Sequence, residues 1–216
     1  MLDRPLPSAG GDGYPSGMTR EAYRKRLSGA RVGIAGCGGL GSNCAAALAR
    51  AGVGRLVLAD FDTVSEANLD RQFFFRDQVG RPKAECLAEN LRRIDPSLGI
   101  EATVRRLDPE GIVTLFGGCD VIVEAFDAAD QKAMIIETVL SRLKGTWLVA
   151  ASGLAGYGRD SALGLHVSGR LVLCGDLESE VGADLPPMAP RVGIVANMEA
   201  DAVVSILLDG RIGEST

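Results

Sequence analysis

Residues 35–43 read AGCGGLGSN, and within them Gly36-Cys37-Gly38-Gly39-Leu40-Gly41 matches the pattern G-x-G-x-x-G. The run before it, RVGIAG (31–36), is short, apolar and β-branched, which predicts a buried strand. The run after it, SNCAAALARAG (42–52), is alanine-rich and stopped by Gly52, which predicts a helix. A glycine loop between a strand and a helix permits a tight turn. It also lets backbone N–H groups and the positive end of the helix approach an anion. The next predicted strand, RLVLAD (55–60), ends in Asp60, 19 residues after Gly41, where a carboxylate accepts both hydroxyls of a ribose. Gly36, Gly38, Gly39, Gly41 and Asp60 are therefore candidate nucleotide-binding residues. The alternative is that the glycines serve close packing and Asp60 caps a loop.

Outward from this core the pattern alternates. Helices are predicted over 18–27, 83–95, 108–118, 128–144 and 191–210. Strands are predicted over 100–107, 120–126 and 146–152, and a hairpin over 162–176 turning at Ser168-Gly169. Alternating strands and helices with continuous apolar strands imply an α/β fold, a Rossmann-like parallel sheet covered on both faces. It is extended by a C-terminal hairpin and a final helix after the loop 177–190. The Pro/Gly-rich residues 1–17 read as a flexible arm, and 18–216 as a single nucleotide-binding domain.

The 216 residues carry a net charge of -5 and 46% hydrophobic residues, which describes a globular chain without the basic face that nucleic acid requires. No apolar stretch reaches the roughly 18–20 residues of a membrane span. The beginning of the sequence lacks the apolar segment of a secretory signal. The five cysteines (Cys37, Cys44, Cys86, Cys119, Cys174) form no C-x-x-C pair, so neither a disulfide framework nor a structural zinc site is expected. A cytoplasmic location follows as an expectation. The single histidine, His166, excludes chemistry that needs two and reads as an ordinary residue of the hairpin.

The segment after Asp60 separates a dinucleotide site from a triphosphate site. FDTVSEANLDRQFFFRDQVGRPKAE (61–85) is an irregular polar loop of about 20 residues where a dehydrogenase passes into its next helix. It carries Asn68, Arg71, Gln72, Arg76, Arg81 and Lys83. A triphosphate that loses pyrophosphate needs such cations, because charge moves onto the leaving group. Read without context, Arg71 and Lys83 are ordinary solvated charges. Phe73-Phe74-Phe75 cannot all face inward, so part of the run is expected to cover a dimer or partner surface.

Taken together, GCGGLGSN, DFDTVSEANLDRQ, VGRPKAE and EAFDAADQK resemble the ThiF/MoeB adenylyltransferase family, relatives of the ubiquitin-activating enzymes. The tail LCGDLESEVG…MAPRVGIVAN is more similar to the thiamine-pathway branch. The resemblance covers roughly residues 30–208. It implies ATP-dependent adenylation of the C-terminal Gly-Gly carboxylate of a small ubiquitin-like sulfur carrier protein (ThiS-like), with release of pyrophosphate, in thiamine thiazole biosynthesis. It further implies that Asp60 holds the ribose, that Asn68, Arg71 and Gln72 line the triphosphate, that Lys83 contacts phosphate, and that Asp127 binds Mg²⁺. Arg71, Lys83 and Asp127 would be the catalytic set. Asp127 has a second reading as the cap of the helix beginning near Ala128. Dimeric relatives lend an N-terminal arginine to the partner's active site, for which Arg20, Arg24 and Arg26 are candidates in an implied homodimer. Some relatives use a covalent cysteine, for which Cys174 is the candidate. The competing functions are an NAD-dependent oxidoreductase, a non-catalytic nucleotide-binding subunit of the same superfamily, and a relative acting on tRNA.

Overall fold

A computed structural model describes residues 19–182 and 184–210; the expected arm over 1–17 lies outside the described residues. Seven strands form one sheet: β1 (Arg31–Ala35), β2 (Arg55–Asp60), β3 (Gly99–Val104), β4 (Val121–Glu124), β5 (Trp147–Ala151), β6 (Gly164–Ser168) and β7 (Leu171–Gly175), in the order β3-β2-β1-β4-β5-β7-β6. All neighbours are parallel except β6 and β7, which form an antiparallel hairpin. The Rossmann-like α/β expectation holds, with the hairpin returning β7 parallel to β5. The hairpin turns at Gly169-Arg170, one residue later than expected, because Ser168 still pairs with Leu171.

The helices are α1 (Arg20–Ser28), α2 (Gly39–Ala51), α3 (Lys83–Ile94), α4 (Pro109–Phe116), α5 (Ala129–Arg142) and α6 (Ala189–Asp209). One face of the sheet is covered by α2, α3 and α6 through Ile34, Leu48, Leu56, Leu87 and Val195, with α1 packed on α6. The other face is covered by α4 and α5 through Ile112, Phe116, Ile122 and Ile135. Full burial of such side chains contributes about 1.5–3 kcal/mol each. No described helix is long and apolar enough to cross a membrane.

Two boundaries differ from expectation in ways that matter to the site. Helix α2 begins at Gly39, inside the glycine loop, because Gly38 supplies its N-cap; the low helix propensity of glycine concealed this start. Strand β3 ends at Val104, so Arg105 and Arg106 leave the sheet. Thr19 caps α1, its Oγ1 accepting from Ala22 N–H at 3.2 Å.

At Gly41 a Cβ would sit 1.9 Å from the Gly36 carbonyl oxygen, so α2 meets the turn after β1 only if residue 41 has no side chain. Gly41→Ala is expected to destabilise the fold by about 1–3 kcal/mol through overpacking, whereas Gly29→Ala, whose nearest neighbour is 3.7 Å away, should be close to neutral. Urea midpoints check this, and a Gly41→Ala protein as stable as the parent would contradict the close approach.

Candidate nucleotide site

Strand order reverses between β1 and β4, and the crevice at the carboxyl ends of the strands is where open α/β sheets bind ligands. A cavity of about 780 Å³ opens there. Its floor is the glycine loop. Gly36 has φ +97°, and a Cβ on it would meet the Ala125 carbonyl oxygen at 2.6 Å. Gly38 and Gly39 open α2, whose first N–H groups have no partners within the helix and point at the site. Asp60, at the tip of β2, accepts from Cys37 N–H at 2.6 Å and from Asp62 N–H at 2.7 Å. Burial raises its carboxyl above the ordinary range, while those two N–H donors and Lys83 pull it back. An ionised carboxylate has about four acceptor positions, so two are left for a diol.

The loop from Asp60 to Lys83 is closed at its root. Thr63 bridges to Pro82, Val64 N–H donates to the Arg81 carbonyl at 2.9 Å, and Lys83 N–H donates to the Asp62 carbonyl at 2.9 Å. Phe74 is buried, Phe73 packs on the core, and Phe75 is exposed beneath the Arg93 guanidinium. The crest of the loop is latched to α2. Ser42 Oγ donates to the Gly38 carbonyl and accepts from Phe73 N–H at 2.9 Å, and Asn43 Nδ2 donates to the Gly39 and Arg71 carbonyls. Arg71, Gln72 and Lys83 thereby line the same cavity as the glycine loop. Lys83 is buried with Nζ 3.0 Å from Asp62 Oδ2. Gln72 Oε1 is buried without a hydrogen-bond partner among the described residues, an orphan that a ligand's donor would satisfy.

Asp127 also lines the cavity, exposed and without an ion-pair partner among the described residues. Its reading as a helix cap is corrected: α5 starts at Ala129 behind Ala128, with no side-chain capping bond. Eight of the ten expected site residues therefore meet in one cavity: Gly36, Gly38, Gly39, Asp60, Arg71, Gln72, Lys83 and Asp127. Gly41 and Asn68 do not line it. Gly41 lies behind the loop, and Asn68 shapes the turn, with Oδ1 accepting from Ser65 N–H and its carbonyl from Gln72 N–H. Arg76 and Arg81 also lie away from the cavity, Arg81 paired with Glu89. Arg20, Arg24 and Arg26 are exposed on α1 and none reaches the cavity of its own chain. His166 is exposed on β6.

Sequence reasoning missed several lining residues. Arg105, Arg106 and Lys132 border the cavity. The Arg106 guanidinium stands 5.3 Å from the Phe61 ring centroid, and Lys132 Nζ is 2.6 Å from Glu124 Oε2. Lys132 was visible in the quoted EAFDAADQK, but nothing local marked it as site-facing. Glu199 on α6 is fully buried, and neither of its carboxylate oxygens has a partner among the described residues. Burial, reinforced by Glu124 and opposed by Lys132, raises its carboxyl well above 4.5. Asp176, after β7, pairs with Arg191 of α6 at 2.7 Å. Burial pushes the Asp176 carboxyl up, yet N–H and hydroxyl donors from Glu178 and Ser179, together with Arg191, bring it down to about 2. It is ionised at any ordinary working pH.

These features define an α/β domain of Rossmann type with a glycine loop at its topological switch point. Residues 15–214 match the ThiF family, and the chain belongs to that family. The molybdopterin-synthase adenylyltransferase of Salmonella typhimurium is 42% identical over 105 residues, 48% of this chain and 42% of that one. The SAMP-activating enzyme E1 of Haloferax volcanii is 32% identical over 189 residues, 87% of this chain and 64% of that one. The matched region is thus less than two thirds of the length of either relative. Among solved structures, the E. coli tRNA N6-threonylcarbamoyladenosine dehydratase in complex with ATP shares the fold, with a TM-score of 0.79 at 22% identity over 88% of this chain and 90% of that chain.

All five cysteines are buried and free, and in each of them burial raises the thiol above its ordinary value. Cys174 packs beneath α6 in the core and is not placed as a surface nucleophile. Iodoacetamide should leave the native thiols unmodified for as long as the unfolded chain needs to react fully. Rapid labelling of Cys174 would contradict this. For Glu199 the sign is set by its raised folded value. Stability is full below 4.5, where the carboxyl is protonated in both states. It falls as the pH rises above 4.5, since the unfolded chain gives up the proton first. Glu199→Gln should therefore stabilise by about 1–3 kcal/mol at pH 7.5 and match the parent at pH 4. Equal urea midpoints at both pH values would refute the buried neutral carboxyl.

Proposed function

We propose that this chain uses ATP and Mg²⁺ to adenylate the C-terminal Gly-Gly carboxylate of a small ubiquitin-like sulfur carrier, releasing pyrophosphate. The observation that carries this reading is the delivery of Arg71, Gln72 and Lys83, by one latched loop, onto the cavity that holds the glycine loop and Asp60. A diphosphate flanked by two nucleosides needs no such pair of cations as Arg71 and Lys83; a triphosphate that sheds pyrophosphate does. The names of the relatives, an adenylyltransferase and an E1-type activating enzyme, support the same reaction class. A thiamine-pathway carrier is the finer choice, and it rests on the tail LCGDLESEVG…MAPRVGIVAN. A homodimer and a cytoplasmic location belong to the same proposal.

The chemistry is economical. A C-terminal carboxylate has a pKa of about 3.5 and is already an anion at neutral pH, so no general base is needed and the lack of a histidine in the site is no obstacle. One carboxylate oxygen attacks the α-phosphorus, the bond to the β-phosphate oxygen breaks, and pyrophosphate leaves with that electron pair. Asp60 holds the ribose and the α2 N–H groups hold phosphate oxygens. Arg71 and Lys83 neutralise the crowded anions and the charge that builds on the leaving group. The exposed carboxylate of Asp127 fits Mg²⁺, a hard ion that takes one or two protein carboxylates and completes its shell with phosphate and water. Bound there, the ion would supply further charge neutralisation on the triphosphate.

Calorimetric titration with ATP·Mg²⁺ and separately with NAD tests the reading, followed by ATP–pyrophosphate exchange with a ThiS-like carrier. Binding of ATP·Mg²⁺ with carrier-dependent exchange is expected; binding of NAD alone would overturn the proposal in favour of an oxidoreductase. Asp127→Ala should retain partial ATP binding and lose exchange. A fully active variant would refute the metal assignment.

A further inference from the structure

The cavity has two halves, set by the order of the strands. The glycine loop and Asp60 stand at β1 and β2. Beyond the segment after β4 that carries Asp127, a further wall comes from β5 and β7: Ser152, Gly153 and Leu154 after one, Ser179, Glu180 and Val181 after the other. In the sheet, β7 is the fourth strand from β2, a separation of about 19 Å at the usual strand spacing. A nucleotide anchored at β1 and β2 leaves the β5–β7 half for the second reactant.

That half is held by one buried ion pair. Asp176 Oδ1 accepts from Glu178 N–H, Ser179 N–H and Ser179 Oγ at 2.8–3.0 Å, and Oδ2 accepts from Arg191 at 2.7 Å. Arg191 also donates to the Gly158 carbonyl. Ser179 Oγ in turn accepts from Ala155 N–H at 3.2 Å. Three segments that are distant in sequence (152–158, 176–182 and the start of α6) thus converge on two side chains. Gly153 has φ +76°, and a Cβ there would lie 1.9 Å from Asp176 Oδ1, so the carboxylate sits directly against this backbone.

Two independent observations say that the arrangement is not incidental. Arg191 lies in the first turn of α6, where the helix dipole disfavours a cation; it is kept there, almost fully buried, by its carboxylate. Second, the only non-glycine residues with positive φ among those described are Arg159 (53°) and Leu177 (61°). Each adjoins an anchor point of the pair, Gly158 and Asp176. Backbone in this region is strained for a residue with a side chain and persists only where surrounding contacts enforce it.

We propose that Asp176 and Arg191 are a positioning pair that clamps residues 152–158 and 176–182 into one wall of the cavity, against which a carboxylate-bearing polypeptide tail is aligned for attack. The clamp stands on this geometry alone; the identity of the aligned substrate rests on the adenylyltransferase reading.

The test compares Arg191→Met, Arg191→Lys and Ser179→Ala with the parent by amide hydrogen exchange, by ATP calorimetry, and by pyrophosphate exchange with a ThiS-like carrier ending in Gly-Gly. In Arg191→Met, residues 152–158 and 176–182 should lose protection together while β1 and β2 keep theirs. KM for the carrier should rise at least tenfold, since small misplacements cost that much, while ATP affinity changes far less. Arg191→Lys should restore part of both. Ser179→Ala, which keeps the ion pair but removes both hydrogen bonds of Ser179 Oγ, should raise the carrier KM at least about fivefold, the worth of one net hydrogen bond. If Arg191→Met does not fold, the other two variants decide. Unchanged protection of the two segments, or an equal loss of ATP affinity and carrier KM, would overturn the clamp. Absence of exchange in the parent would overturn the adenylyltransferase reading and leave the clamp to be judged by protection and ATP binding.

Discussion

The Asp60 carboxylate takes one hydrogen bond from Cys37 N–H, inside the glycine loop, and one from Asp62 N–H, at the root of the loop that follows β2. It is buried, and among the described residues no cation pairs with it, Lys83 being paired with Asp62, so these two short bonds hold it in place. They join the turn after β1 to the turn after β2 and fix where both point. Everything at the site is referred to this junction. The floor is on one side of it, the loop that carries Arg71 and Lys83 hangs from the other, and its own spare acceptor positions face the cavity.

The loop from Asp60 to Lys83 shows how an irregular segment is made rigid. Its polar groups are paired inward: Asn90 of α3 donates to the Phe73 carbonyl and exchanges hydrogen bonds with Gln78, both buried. Its root is zipped, and its crest is tied to the first turn of α2 by Ser42 and Asn43. Arg71 and Gln72 therefore approach the cavity on a scaffold and not on a mobile tether. Cationic groups that are pre-placed spend little conformational entropy on binding an anion.

Much of this was legible. Continuous apolar runs gave away β1, β2, β4 and β5, because a strand buried on both faces has no polar positions to confuse it. The glycine loop and Asp60 were legible because their spacing is a local consequence of a strand, a turn and a helix. The start of α2 was hidden by its own glycines. The insertion of β7 between β5 and β6 was hidden because strand order is set by packing at a distance. Asn68 was read as a phosphate residue, yet its side chain shapes the turn that presents Arg71 and Gln72. The groups missed altogether, Arg106 over Phe61, Glu199 beneath the sheet and Asp176 with Arg191, have partners or surroundings supplied by remote segments. No local pattern announces such pairings.

In the proposed function, the loop after β2 turns a nucleotide site into a triphosphate site. This role is tested most directly by measuring the affinities of ATP and AMP side by side in the parent and in Arg71→Ala. The parent should prefer ATP, and the variant should lose most of that preference while its AMP affinity is nearly unchanged. Equal weakening of both nucleotides, or no preference for ATP in the parent, would contradict it.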